Sequence, residues 1–126
     1  MGEKIFIHDL DRANRMHAFI KTVGGKVISF AVKLVCLIDD REVEVLRFDS
    51  GHRVPHADHL NARGEVVRKE WLKYLTNEQA LTIALGDIKK NYQRHRERFV
   101  AWQGKEKKKT RRQTQFPGHG KMSKRI

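Results

Sequence analysis

The chain has 126 residues, with 27 Lys and Arg against 15 Asp and Glu, and a formal net charge of +12. That is the length of one domain, enough to bury a core without disulfide or metal staples. The single cysteine, Cys36, excludes a disulfide framework and a multi-cysteine zinc site.

The charge is unevenly spread. Residues 103–126 hold nine basic residues and one acid, which is +8 of the +12. Two units are therefore expected: a mildly basic α+β domain over 1–103 and a disordered basic tail over 104–126. The N-terminal MGEKIFIHDLDR is charged by residue 3 and builds no apolar leader segment. The longest apolar stretch is interrupted by Lys33 and is too short to span a bilayer. A soluble cytoplasmic protein with no membrane partner is the expectation.

In chain order, residues 4–8 offer an edge strand. Residues 15–23 form a strand ended by Gly24-Gly25, a hairpin signal. In residues 26–38 every even position from Ile28 to Ile38 is apolar, while the odd positions are mixed. That pattern suits a central strand well covered on one face. Asp39-Asp40-Arg41 turns into an antiparallel strand over 42–49. A short strand near His56–Asn61 follows, then a turn at Ala62-Arg63-Gly64 and a strand over Glu65–Trp71.

A helix begins at Thr76-Asn77-Glu78-Gln79, which fits a capping box. Leu81, Ala84, Leu85, Ile88, Tyr92, His95, Phe99 and Trp102 recur at three- and four-residue steps and should face the sheet. Gly86 costs about 1 kcal/mol relative to alanine unless it permits close packing. Gly104 is a natural stop. The predicted fold is an antiparallel meander of four to six strands packed by one long C-terminal helix.

The residues that carry chemistry cluster in HRVPHADHL, residues 52–60. His52, His56 and Asp58 are ligand types that suit a first-row metal ion, although the paired spacing of strong zinc signatures is missing. The same stretch has the parts for RNA cleavage by the 2′-hydroxyl, a reaction that calls for no cofactor. His56 and His59 are candidate base and acid, and His52 is the reserve for the second proton transfer. Arg47 and Arg53 are candidate phosphate clamps, and Asp49 or Asp58 is a candidate orienting carboxylate. The third alternative is a polar strand end in which Arg47 pairs with Asp49 and the histidines cap backbone groups. On strand parity His56 and Asp58 share a face and His59 points away. Cys36, inside an apolar run, reads as a small hydrophobe.

A polyanion surface is expected on the helix end and tail, from Arg94, Arg96, Arg98, Lys107, Lys108, Lys109, Arg111 and Arg112. RNA or another nucleic acid is the partner this implies.

The run VLRFDSGHRVPHADHL, the turn at Gly64, KEWL and the helix ending YQRHRERFV resemble a family of small, uncharacterised prokaryotic proteins. A looser similarity, carried by Arg47-Phe48-Asp49 and the histidines downstream, extends to TumE-type toxins of toxin–antitoxin systems. The likeness covers residues 15–102. It implies a growth-inhibiting protein held in check by an antitoxin partner and acting on RNA, a toxin-like endoribonuclease. The alternative is a non-catalytic nucleic-acid-binding module that uses the basic helix end and tail.

Overall fold

The structure, a computed structural model, describes the backbone of residues 1–119 and the side chains of residues 1–105 other than His52. Six strands run β1 Gly2–Asp9, β2 Asn14–Val23, β3 Lys26–Ile38, β4 Arg41–Asp49, β5 His56–Leu60 and β6 Val66–Trp71. They form one antiparallel sheet in sequential order, and one helix, α1, follows at Asn77–His119. The architecture is the α+β meander and helix that the sequence predicts.

The hairpins explain the register. Gly24 and Gly25 link β2 to β3 with left-handed angles (φ 58° and 78°), and Asp39 and Asp40 do the same between β3 and β4 (φ 53° and 63°). Two consecutive left-handed residues make the mirror-image turn whose twist matches that of the strands. Short-chain Asp tolerates this region better than bulkier residues do. Register slips at Lys21/Thr22, Leu34/Val35 and His59/Leu60 bend the sheet.

The even positions of β3 carry the core. Phe30, Val32, Leu34 and Cys36 are buried with Met16 and Ala18 of β2 and Leu46 and Phe48 of β4. Ile28, expected in the same stripe, is exposed. Helix α1 closes this face with Ala80, Ala84, Ile88 and Phe99. Burying a side chain the size of Ile88 contributes about 1.5–3 kcal/mol. Ala80, one turn before Ala84, extends the predicted stripe toward the helix start.

The capping box forms as spaced. Gln79 N–H donates to Thr76 Oγ1 at 3.1 Å, and Thr76 N–H donates to Gln79 Oε1 at 2.9 Å. The helix departs from expectation at three places. Gly86 is exposed with nothing within 4 Å of where a Cβ would lie, so it does not serve close packing. Asn91 leaves helical geometry (φ −119°, ψ 15°) and kinks α1, its side chain donating to Asp87 Oδ1 at 2.8 Å. Gly104 does not end the helix, which runs on to His119. The intrahelical ladder tolerates an isolated glycine at modest cost. The expectation of a disordered tail falls largely on residues 106–126, outside the described side chains. Among the described residues no helix is long and apolar enough to cross a membrane.

Candidate functional site

The sheet has two faces with different fates. Helix α1 lies over the face that carries Phe30, Leu34, Leu46 and Phe48. On the other face the register sets side chains in rows. One row runs Ile5, Phe19, Ala31, Asp49, His56, Trp71 across all six strands. The next runs Ile7, His17, Lys33, Arg47, Asp58, Lys69. Facing residues of an antiparallel pair point to one side, so each row shares a face.

These rows bring Asp49, His56 and Asp58 together. His56 Nε2 lies 3.2 Å from Asp49 Oδ1 and 3.5 Å from Asp58 Oδ2. One ligand atom from each of the three lies within 4.8 Å of the other two. His56 Nδ1 is 3.1 Å from the Val54 carbonyl. A carbonyl can only accept, so Nδ1 carries the proton and Nε2 is the atom turned to the carboxylates. Lys69 Nζ stands 3.0 Å from Asp58 Oδ1 as an ion pair, without the angles of a hydrogen bond, and that buried oxygen accepts none. His56 is 2% exposed and Asp58 5%.

The burial of a nominally open face at β5 has a local cause. The Trp71 ring sits 5.2 Å from the His56 ring, and Lys69 Nζ lies 5.1 Å over Trp71. On the other side the 3-10 turn Gly51–Arg53 comes down on the pair. Gly51 N–H donates to Asp49 Oδ1 at 2.8 Å. A Cβ on Gly51 would lie 3.1 Å from that oxygen and 4.0 Å from His56 Cε1, so any other residue would crowd the carboxylate by a few tenths of an ångström.

The other predicted residues are distributed elsewhere. His59 faces α1, where its Nε2 donates to Glu70 Oε1 at 2.8 Å and its Nδ1 accepts from Arg98 Nη1 at 2.8 Å. Burial holds His59 below the ordinary imidazole range, against the pull of Glu70 and with Arg98 adding to it. The same hydrogen bond from His59 keeps Glu70 below the usual carboxylate range. His56 and His59 therefore do not form one acid–base pair: a strand cannot present adjacent parities to one substrate.

Arg47 is bound by Glu44, with Nε to Oε2 at 2.8 Å, instead of by Asp49. That hydrogen bond is the main reason its guanidinium is held still more firmly charged. Arg53 is exposed with a left-handed backbone (φ 68°). The side chains of His52, Lys107, Lys108, Lys109, Arg111 and Arg112 lie outside the described residues.

On the helix, Arg96 is not a free cation. Its guanidinium donates to Asn14 Oδ1 and to the Leu37 carbonyl, each at 2.9 Å. Arg98 is engaged by His59. Arg94 is exposed, as are Lys89, Lys90 and Lys105, and none of the four has an ion pair among the described residues.

The sequence reading missed a buried polar group under α1. His95 Nε2 is 2.7 Å from Asp87 Oδ2, with the His95 and His59 rings 6.0 Å apart. Burial pushes Asp87 up, but the hydrogen bonds from His95 and Asn91 outweigh it and leave the carboxyl below its ordinary value. His95 was read as part of the stripe facing the sheet, but eight residues is too long a helical spacing to mark Asp87 as its partner.

Together these observations define a meander-and-helix α+β domain with an Asp–His–Asp group on β4 and β5 and, along its helix, cations that have no ion pair among the described residues. The chain belongs to the family described as a domain of unknown function, DUF7718, whose model matches residues 1–105. Membership of an uncharacterised family agrees with the sequence reading. No curated protein and no solved structure matches the chain.

Proposed function

We propose that this domain binds RNA, or another single-stranded polyanion, along the outer face of α1 and through the basic residues from Lys105 onward. The carrying observation is the set of exposed cations Lys89, Lys90, Arg94 and Lys105, none of which has an ion pair among the described residues. Glu97 is the only acid between Lys89 and Lys105. Lys89 and Lys90 precede the kink at Asn91, and Arg94 and Lys105 follow it. The open sheet face is a poorer platform. Its cations Arg15, Lys21, Lys33, Arg47 and Lys69 each stand within ion-pair distance of an acid.

A salt titration of binding to a labelled single-stranded RNA tests this reading. Each phosphate contact adds about 0.7 to the slope of log affinity against log salt. Changing Lys90 and Arg94 together to alanine should lower the slope by about 1.4. An unchanged slope would remove α1 from the interface.

A sharper reading rests on the Asp49–His56 contact and the likeness to TumE-type toxins. In it the protein cleaves RNA as a metal-independent endoribonuclease, with His56 as the proton-transfer group oriented by Asp49, and an antitoxin protein restrains it. RNA cleavage in the presence of chelator, compared with His56→Ala, tests the chemistry. Expression that leaves growth unaffected counts against the toxin.

A further inference from the structure

We infer that Asp49, His56 and Asp58 form a binding site for a first-row divalent cation of the Zn2+ or Mn2+ kind. This goes beyond polyanion binding and is independent of it, since no residue of the α1 surface takes part; it is an alternative to metal-independent cleavage by His56, because Nε2 cannot both bind an ion and transfer a proton. The ligand atoms are His56 Nε2, Asp49 Oδ1 and Asp58 Oδ2.

Four observations converge. The first is spacing. Nitrogen and oxygen ligands lie about 2.0–2.2 Å from such an ion, so neighbouring donors in a tetrahedral shell are about 3.3 Å apart. The two histidine–carboxylate separations are 3.2 and 3.5 Å. The second is the anchoring of His56 Nδ1 on the Val54 carbonyl at 3.1 Å, which directs Nε2 inward. Metal-binding imidazoles are held in this way, by a backbone oxygen on the far nitrogen.

The third is the support of both carboxylates. Gly51 N–H donates to Asp49 Oδ1. Lys69 Nζ holds Asp58 by its other oxygen, Oδ1, at 3.0 Å. That leaves Oδ2 on the side of His56. Asp58 is buried, and its Oδ1 accepts no hydrogen bond. The fourth is access. The Asp49 side chain is the most exposed of the three, at 21%, and marks the side from which an ion enters. The donor set of one imidazole and two carboxylates suits a first-row ion better than calcium, which takes six to eight oxygens.

The competing arrangement is a protonated His56 held between the two carboxylates. With Lys69 it sums to zero charge without an ion. Calorimetry separates the two. Full-length protein is stripped with chelator and titrated with Zn2+ and with Mn2+. The site predicts one ion per chain for at least one metal. Asp49→Asn and Asp58→Asn should each weaken binding more than about tenfold. His59→Gln, on the opposite face, should leave it unchanged. Circular dichroism reports whether each variant is folded. If the buried Asp58→Asn fails that check, the more exposed Asp49→Asn decides. The wild type binding neither ion, or binding one as tightly without the Asp49 carboxylate, overturns the proposal.

Discussion

His56 and His59 are three residues apart on β5 and stand on opposite faces of the sheet, one against Asp49 and Asp58, the other against Glu70 of β6 and Arg98 of α1. A one-residue change of parity separates a group open to ligand chemistry from one that ties the helix to the sheet. The consequences divide along the same line.

Asp87 governs part of the acid stability. Its folded-state value lies below the ordinary 3.8 because His95 and Asn91 hold the carboxylate against the cost of burial. The unfolded chain then binds more protons as pH falls through this range. The stabilisation is complete above about pH 4 and is lost as pH drops through the folded value. Asp87→Asn should cost about 1.5–3 kcal/mol at pH 7 and flatten the decline below about pH 4. Urea unfolding at a series of pH values measures both. A variant with an unaltered acid limb would contradict the assignment.

Cys36 should be inert in the native protein. It is fully buried near the C-terminal end of β3, and burial pushes its thiol up to about 11. The thiolate is the reactive form, so alkylation at pH 8 should track global unfolding. Rapid modification without denaturant would show that β3 opens locally.

Thr76 fixes the start of α1. Thr76→Ala removes the acceptor for Gln79 N–H and should lower stability by about 1 kcal/mol, read by thermal or urea unfolding. Thr76→Ser, which keeps the oxygen, should lose much less.

Much of the fold was legible because its signals are local. Glycine and aspartate pairs mark the turns, even-position apolarity marks β3, and Thr76 with Gln79 marks the helix start. The parity argument also placed His56 and Asp58 together and His59 apart. The sequence also named Asp49 as a candidate carboxylate for an imidazole, and the structure puts it 3.2 Å from His56 Nε2. What escaped depends on register and long-range contact. Arg47 pairs with Glu44 through the irregularity at Leu34/Val35, where alternation no longer predicts which acid is near. The roles of Arg96 and Arg98 depend on partners 82 and 39 residues away, beyond any periodicity. Trp71 and Lys69 cover His56 and Asp58 only because β6 lands in one particular register.

The arginines of α1 provide the most direct test of the proposed function. Arg94 is exposed and unpaired among the described residues, whereas Arg96 clamps Asn14 and the Leu37 carbonyl. The measurement is RNA affinity by fluorescence anisotropy at fixed low salt, with urea unfolding of the same samples. Arg94→Ala should weaken binding severalfold with stability unchanged. Arg96→Ala should lose about 1.5 kcal/mol of stability and, while folded, bind RNA nearly as the wild type does. Equal affinity of wild type and Arg94→Ala, with Arg96→Ala alone impaired in binding, would contradict the account.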